Sequence, residues 1–559
     1  MEQSSSNPFT FRLLQPEQSE SSAPCQVGCA AGGDVRGWIN AVALHERLGR
    51  SRSEALEQAW RIITDRNPLP AVMGHVCPHP CETDCNRSDK DEPVAVSAME
   101  RFIGEWAIRA GLSLDRLDSS MQAESIGVIG SGPAGLSFAY QMARRGYPVV
   151  IYEMHEAAGG MLRFGIPDYR LPPDILDAEI RRILDVGVEL RLGCQVGRDV
   201  EIAELEERHA VLFMGIGAQA GRRMGIPGED GPGSWTGTEL LFALNTGHSI
   251  DVGDSVVVVG GGNTAIDAAR SARRLGADVT ILYRRTRAEM PAIGLEIDDA
   301  NEEGVRIEYL AAPVEIRRRD GRIVEVVARR MRLGDPDESG RKRPVPIPGS
   351  ECTVPAATVV AAISQEPDWA GLQDGQEEDP WLRASPRGES TDGSFAGGDV
   401  LGLGIAAAAI GQGRRAAEAA HARLRGMTLQ DASSNGTVNS PELKLDFYPD
   451  VPRARIERIE PALRLADPVA GTELTLTEEQ FFAEAERCMS CGSCFGCHHC
   501  WTYCNVSGFT PAEHPEHGHF FDLSLSACEG CAKCIELCPC GFLSVRSEAD
   551  GQQQVDTFG

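Results

Sequence analysis

No apolar run in this 559-residue chain approaches the ~18 residues that a membrane-spanning helix needs, so no membrane insertion is expected. The opening residues, MEQSSSNPFTFRLLQPEQ, have neither the basic stretch nor the apolar stretch of a secretory signal, which points to a cytoplasmic location. Positive charge is scarce: 54 Lys and Arg stand against 82 Asp and Glu, a formal net charge of −28. An acidic surface of this kind excludes nucleic acid and anionic membranes as natural partners and suits basic or neutral proteins, although its plainest reading is a solvated face. No Ser/His/Asp constellation, thiolate nucleophile or carboxylate pair marks a site for a small carbon substrate. Hydrophobic content of 42% and charged content of 24% are those of an ordinary globular protein, so the whole chain is not disordered.

What the chain has is cysteine. Of its 18 cysteines, 15 fall within positions 25–85 and 488–538. Dense C-x2-C spacing without a secretory signal reads as metal-binding or redox chemistry, not as a disulfide scaffold. Cys494, Cys497, Cys500 and Cys504 give C-x2-C-x2-C-x3-C, and Cys528, Cys531, Cys534 and Cys538 repeat it before Pro539. This is the spacing of bacterial two-cluster ferredoxins, in which the fourth cysteine of each run ligates the other cluster. The expected sets are therefore Cys494, Cys497, Cys500 and Cys538 on one [4Fe-4S] cluster, and Cys528, Cys531, Cys534 and Cys504 on another. Asn505 stands where the pattern has proline after Cys504. A structural zinc site and a histidine-based metal site near the tail are the weaker readings.

Between the cysteine regions lie two strand–turn–helix signals. In SIGVIGSGPAGLSFAYQMARRG, Gly130, Gly132 and Gly135 form G-x-G-x-x-G, with Pro133 and Ala134 opening the helix. The next strand, PVVIYE, ends in Glu153, a carboxylate suited to ribose hydroxyls and repelling a 2′-phosphate. In SVVVVGGGNTAIDAARSARRLGADVTILYRRTR, Gly260, Gly262 and Ala265 form G-x-G-x-x-A, with Asn263 and Thr264 on the turn. Here the second strand runs into Arg284, Arg285 and Arg287, whose guanidinium groups match a 2′-phosphate and favour NADP(H) over NAD(H). The fold class expected is α/β, with two Rossmann-like dinucleotide-binding domains, a helical N-terminal Fe–S domain and an α+β ferredoxin-like C-terminal domain.

Together with YEMHEAAGGMLRFGIPDYRLP, LYRRTRAEMPA and FAGGDVLGLGIAAAAIGQGRRAAEAA, these motifs resemble the small subunit of bacterial glutamate synthase and the flavin half of dihydropyrimidine dehydrogenase, over about residues 24–425. The resemblance implies FAD at the first motif and NADPH at the second. It carries Gly159, Gly160 and Met161 to the flavin, and Gly398 and Asp399 to its ribityl region. No cysteine pair accompanies the flavin as in a disulfide reductase. Cys194, Cys352 and Cys540 are expected as free thiols, the first two as buried small side chains.

In the N-terminal region, PCQVGC and NPLPAVMGHVCPHPCETDC resemble the cluster-bearing domain of the same family. The resemblance implies one cluster on Cys29, Cys77, Cys81 and Glu100. A second would keep only Cys25 and Cys85, because the family's leading C-x2-C is absent upstream. That pair occurs in the tail, where EEQFFAEAERCMSCG matches the family's acidic helix and supplies Cys488 and Cys491. The expectation is that the tail folds back so that Cys25, Cys85, Cys488 and Cys491 form the remaining site. Four clusters follow, or three if Cys25 and Cys85 are vestigial.

The organisation expected is a helical Fe–S domain over 1–115, FAD domain over 116–245 and 366–425, an inserted NADPH domain over 246–365, a linker over 426–475 and a ferredoxin-like domain over 476–559. Helical periodicity covers Ser53–Thr64 and Ser97–Gly111. The function expected is an iron–sulfur flavoprotein electron-transfer subunit, an FAD-dependent NAD(P)H:acceptor oxidoreductase. It would work with a redox protein or catalytic subunit in a hetero-oligomer, such as a 2-oxoacid:acceptor oxidoreductase. The small subunit of a glutamate synthase, or a stand-alone NADPH:ferredoxin reductase, are the other readings.

Overall fold

The computed structural model describes residues 14–337, 340–369, 371–372, 379–429 and 436–546. The first 13 positions, residues 430–435 of the expected linker and the last 13 positions of the expected ferredoxin-like domain lie outside the described residues.

The N-terminal region is helical, as its periodicity requires. Helix Arg52–Arg66 starts at Ser51, whose hydroxyl accepts the Glu54 N–H while Glu54 reaches back to the Ser51 N–H. Helix Val96–Arg109 buries Met99, Phe102 and Ile103. Two parallel sheets follow. The first has five strands in the order Phe395–Ala396, Val211–Met214, Ile126–Ile129, Val149–Tyr152, Val188–Arg191. The second has five in the order Arg306–Tyr309, Asp278–Tyr283, Ser255–Val259, Thr358–Ala361, Ser234–Thr236. Their inner strands are short apolar runs buried on both faces, as in parallel sheets covered by helices, while the edge strands Val188–Arg191 and Arg306–Tyr309 are partly exposed.

The edge strand Phe395–Ala396 of the first sheet comes after the whole of the second, so the second unit is inserted into the first. The expected boundary at 245/246 needs moving: strand Ser234–Thr236 and helix Gly237–Asn245 already belong to the inserted unit. That strand is only three residues long and lacks the G-x-G-x-x-G turn that marks the two dinucleotide motifs, so its membership of the inserted unit is not legible locally. A three-stranded antiparallel sheet, Ala311–Arg319, Arg322–Pro336 and Lys342–Pro355, is built onto the inserted unit.

The tail returns to the start of the chain. Strand Pro16–Gln18 pairs antiparallel with Leu543–Val545. Helix Glu478–Glu486 buries Phe481, Phe482 and Ala485 in the same core as the N-terminal helices and the first sheet. Phe481 stacks on Phe102 at 4.5 Å between ring centroids. The segment expected as a linker is a packed strap where it is described. It buries Val438, Leu443 and Tyr448, carries the helix Pro461–Ala466, and sinks Arg464 to 1% exposure. Its buried side chains are scattered without helical or strand periodicity, which is why it reads as polar connection.

Candidate functional site

Both glycine motifs open onto one cavity of about 980 Å³, at the upper end for a small-molecule site. In the first, the chain leaves strand Ile126–Ile129 at Gly130 (φ +93°), where a Cβ would stand 2.5 Å from the Gly215 carbonyl oxygen. A Cβ on Gly135 would stand 2.1 Å from the Gly130 carbonyl oxygen, so only glycine lets helix Pro133–Ala143 pack this close. A Cβ on Gly132 or Gly262 would meet nothing within 4 Å. Both turns thus face open space at a helix N-terminus, which fits a pyrophosphate.

Glu153 is buried and lines the cavity. It accepts the Ser131 N–H at 2.9 Å and the His155 N–H at 2.9 Å. Pro133, Ala134, Gly160, Met161, Gly398 and Asp399 line the same space, whereas Gly135 and Gly159 stand behind it. Asp399 accepts the Gly404 N–H at 3.0 Å, and burial pushes its carboxyl up to about 6.

At the second motif, Gly260, Gly262, Asn263 and Thr264 line the cavity and Ala265 packs behind. The Asn263 side-chain oxygen accepts the Ile293 N–H at 3.0 Å. The three arginines separate. Arg284 is exposed and lines the cavity. Arg285 also borders it but is buried, ion-paired with Asp337 at 2.6 Å and donating to the Lys342 carbonyl at 2.8 Å. Arg287 is not among the lining residues and pairs with Asp298 at 2.7 Å on the surface. Across the two units, Arg170 meets Asp267 of helix Asn263–Arg274 at 2.8 Å, both buried.

The cysteines lie in groups. Val76 and Pro78, on either side of Cys77, line the dinucleotide cavity. Cys29, Cys77, Cys81 and Glu100 are mutual electrostatic neighbours, and burial pushes the thiols of Cys29 and Cys81 up. Two residues that the cysteine pattern does not single out hold this group. Buried His79 bonds Glu100 at 3.1 Å and gives its N–H to the Cys77 sulfur at 3.3 Å. Asn67 donates to Glu100 at 2.9 Å.

Cys25, Cys85, Cys488 and Cys491 come together from opposite ends of the chain. Burial raises Cys25 well above the usual thiol value, with Cys488, Cys491 and Cys85 adding to it. Burial likewise pushes Cys488 up to about 12 and Cys491 up to about 11. Arg36 donates to the Cys491 carbonyl at 2.8 Å, and the Asn86 amide stands 3.5 Å from the Cys491 sulfur.

In the tail, Cys494, Cys497, Cys500 and Cys538 line one small cavity under Phe509, Phe521 and Phe542. Cys540 also lines it, with its sulfur 3.8 Å from that of Cys538. Cys528, Cys531 and Cys534 are neighbours of one another, and Cys504 packs into the tail core that Cys534 also borders. Cys194 and Cys352, both expected as buried small side chains, are half-buried: Cys194 lines the dinucleotide cavity, and Cys352 lies in strand Lys342–Pro355 and packs against the core of the antiparallel sheet.

Among the described residues no three Cys, His, Asp or Glu side chains are placed to hold a single metal ion. An iron–sulfur cube asks for a different arrangement, one thiolate at each iron corner, with the sulfurs spread around the cube. Thiols grouped in this way fit such a ligand, and iron would replace the protons that burial retains on Cys25, Cys29, Cys81, Cys488 and Cys491. Among the described residues no helix is long and apolar enough to cross a membrane.

Residues 124–420 match the family model described as pyridine nucleotide-disulphide oxidoreductase. Residues 19–112 match the model described as dihydropyrimidine dehydrogenase domain II, 4Fe-4S cluster. The chain is 38% identical to the NADP(+)-dependent formate dehydrogenase subunit beta of Moorella thermoacetica, over 84% of this chain and 70% of the relative. It is 34% identical to the NADPH-Fe(3+) oxidoreductase subunit beta of Geobacter sulfurreducens, over 84% and 75%. It is 34% identical to the glutamate synthase [NADPH] small chain of Halomonas elongata, over 70% and 86%.

Proposed function

The chain belongs to the pyridine nucleotide-disulphide oxidoreductase family, and from that premise we propose that it is the electron-transfer subunit of a larger redox enzyme, linking NADPH to a catalytic partner. It is an iron–sulfur flavoprotein oxidoreductase whose cofactors are FAD, NADP(H) and at least one [4Fe-4S] cluster. FAD, held by the first turn, would supply two-electron chemistry toward a nicotinamide and one-electron chemistry toward iron held by the cysteine groups.

The observation that carries the proposal is the shared cavity: both dinucleotide turns and both neighbours of Cys77 line it. In this reading Gly132 and the N-terminus of its helix take the FAD pyrophosphate, and Glu153 takes a ribose. Gly160, Met161, Gly398 and Asp399 bound the flavin. Gly262, Asn263 and Thr264 take the NADPH pyrophosphate, with Arg284 toward the adenosine phosphate. Cys29, Cys77, Cys81 and Glu100 hold the cluster nearest the flavin. Cys25, Cys85, Cys488 and Cys491 hold the next. Cys494, Cys497, Cys500 and Cys538, then Cys504, Cys528, Cys531 and Cys534, hold the two of the tail. Cys531, the one exposed cysteine among the described residues, belongs to the last set, which makes that end the outlet toward a partner.

Iron analysis of purified holoprotein tests the ligand sets: roughly sixteen irons per chain are expected, and roughly twelve overturns the shared site of Cys488 and Cys491. The partner reading rests on the relatives that span 84% of this chain, both named as beta subunits. Co-purification with a catalytic subunit supports it. Full turnover by the isolated chain with soluble ferredoxin as sole acceptor favours a stand-alone reductase instead.

A further inference from the structure

An iron–sulfur cube takes one thiolate at each iron corner. The small cavity of the tail is lined by one cysteine more than that: Cys494, Cys497, Cys500, Cys538 and also Cys540. The first four satisfy the spacing of the two runs, so Cys540 is the surplus sulfur. It is 2% exposed and belongs to the apolar cluster that also holds Phe509, Phe521 and Phe542.

The position of its sulfur decides what it can do. The sulfurs of Cys540 and Cys538 are 3.8 Å apart. Ligands to different irons are spread around a cube, so two sulfurs this close serve one corner between them. The backbone holds Cys540 there from two sides. The Pro539 carbonyl accepts the Lys444 N–H at 3.0 Å, and the Cys540 carbonyl accepts the Gly492 N–H at 2.6 Å. Pro539, with its fixed φ, stiffens the link between the two cysteines, and Gly541 follows at φ +69°. The turn cannot carry Cys540 out of the cavity without breaking both bonds. His499 also lines this cavity, with its Nδ1 held 3.2 Å from the Leu537 carbonyl.

Building on the reading that Cys494, Cys497, Cys500 and Cys538 hold a cluster, we propose that Cys540 is a built-in second ligand for the corner that Cys538 occupies. Exchange at this corner balances without an outside reactant. The bond from iron to the Cys538 sulfur breaks, the bond to the Cys540 sulfur forms, and the proton leaving Cys540 passes to Cys538; no electron moves. The place in the chain gives this a use. Gly492, which holds the Cys540 carbonyl, directly follows Cys491 of the shared site. A cluster lost at this junction would cut the inner groups off from the outlet at Cys531.

Iron analysis and electron paramagnetic resonance of the full chain, oxidised and dithionite-reduced, test this, with flavin content as the check on folding. Cys538→Ala is expected to keep its iron and to stay silent when oxidised, because every iron remains liganded, while its reduced signal shifts. Cys540→Ala alone keeps its iron and is silent when oxidised as well. The double variant Cys538→Ala/Cys540→Ala is expected to show the defect of an unfilled corner: the oxidised-state signal of a cluster missing one iron, or the loss of about four irons per chain. Cys494→Ala, outside the Cys538–Cys540 pair, gives that defect by itself. The same defect in Cys538→Ala alone overturns the second ligand and leaves the cluster reading standing. A double variant without the defect also overturns it, since His499 or water would then hold the corner. The defect in Cys540→Ala alone makes Cys540 the resident ligand and overturns the proposal too. If Cys494→Ala keeps wild-type iron and a silent oxidised state, the cluster reading itself falls and this inference falls with it.

Discussion

Packing several cysteine side chains around one point withdraws them from water and keeps their protons on, and iron reverses both effects by taking the thiolate. The group made by Cys25, Cys85, Cys488 and Cys491 shows how far single residues are recruited for this. Arg36 and Asn86 do not contact the cysteine pattern in sequence except by the adjacency of Asn86 to Cys85, yet they pin the tail loop by the Cys491 carbonyl and sulfur. Asn40 and Ser490 bond to each other in the same buried place. A serine in place of Cys488 or Cys491 offers a poorer ligand without changing side-chain size much. Cys491→Ser is expected to lower the iron content by roughly four per chain, while the electron paramagnetic resonance signals of the tail clusters persist. Undiminished iron in this variant contradicts the shared site.

Elements reach the site through partners in other elements. Helix Pro70–Val76, which delivers Cys77, has Leu69 at its N-cap and no side-chain cap of its own. Its first N–H groups, of Ala71 and Val72, are accepted instead by Glu179 at 2.9 and 3.0 Å. Glu179 belongs to helix Pro173–Asp185 and is fully buried, and burial pushes its carboxyl up to about 8 against the pull of those N–H groups. Because the folded value lies above the unfolded one, this group contributes stability that is complete below the ordinary carboxylate range and is lost as pH rises through about 8. Glu179→Gln keeps an acceptor and cannot ionise. The unfolding midpoint of wild type minus that of Glu179→Gln is therefore expected to fall between pH 6 and 9, a swing on the order of a few kcal/mol, and a pH-independent difference rejects the account. The strap offers a second case. Arg464 pairs with Asp299 at 3.1 Å and Glu302 at 3.3 Å, fastening the strap to the inserted unit. Arg464→Ala leaves Asp299 with Arg270 and Arg458 as its remaining partners, at a cost of about 1–3 kcal/mol to the docked strap. Proteolysis within residues 455–475 is expected to speed up, with the iron content unchanged.

At the scale of the molecule, the chain closes on itself: its first described strand pairs with its last, and helix Glu478–Glu486 sits in the core of the N-terminal half. The signals legible in the sequence are the local ones. Glycine turns and cysteine spacings encode their geometry within a few residues, so both dinucleotide turns and the tail runs could be read directly. What was hidden depends on distant partners. Arg285 looks like a phosphate ligand until Asp337 and the Lys342 carbonyl, 52 and 57 positions away, claim it. The strap looks like a linker because Val438, Tyr448 and Arg464 are buried one at a time. The return of Cys488 and Cys491 was readable only from the family pattern, because nothing local shows where a pair of thiols will dock. This closed layout separates two kinds of tail residue. Those up to Ser493 complete the N-terminal half, whereas those beyond gather around Phe509, Phe520 and Phe542, with Leu44 and Leu48 of the N-terminal region packed into the same cluster. A chain ended after Ser493 is accordingly expected to keep FAD and roughly eight irons, and to reduce a soluble dye with NADPH at close to the wild-type rate. Its electrons would no longer reach the outer clusters, so reduction of the partner subunit should be lost. A truncated chain holding only about four irons would mean that the Cys488 and Cys491 loop needs the outer unit to stay docked, and the two halves would then be one cooperative body.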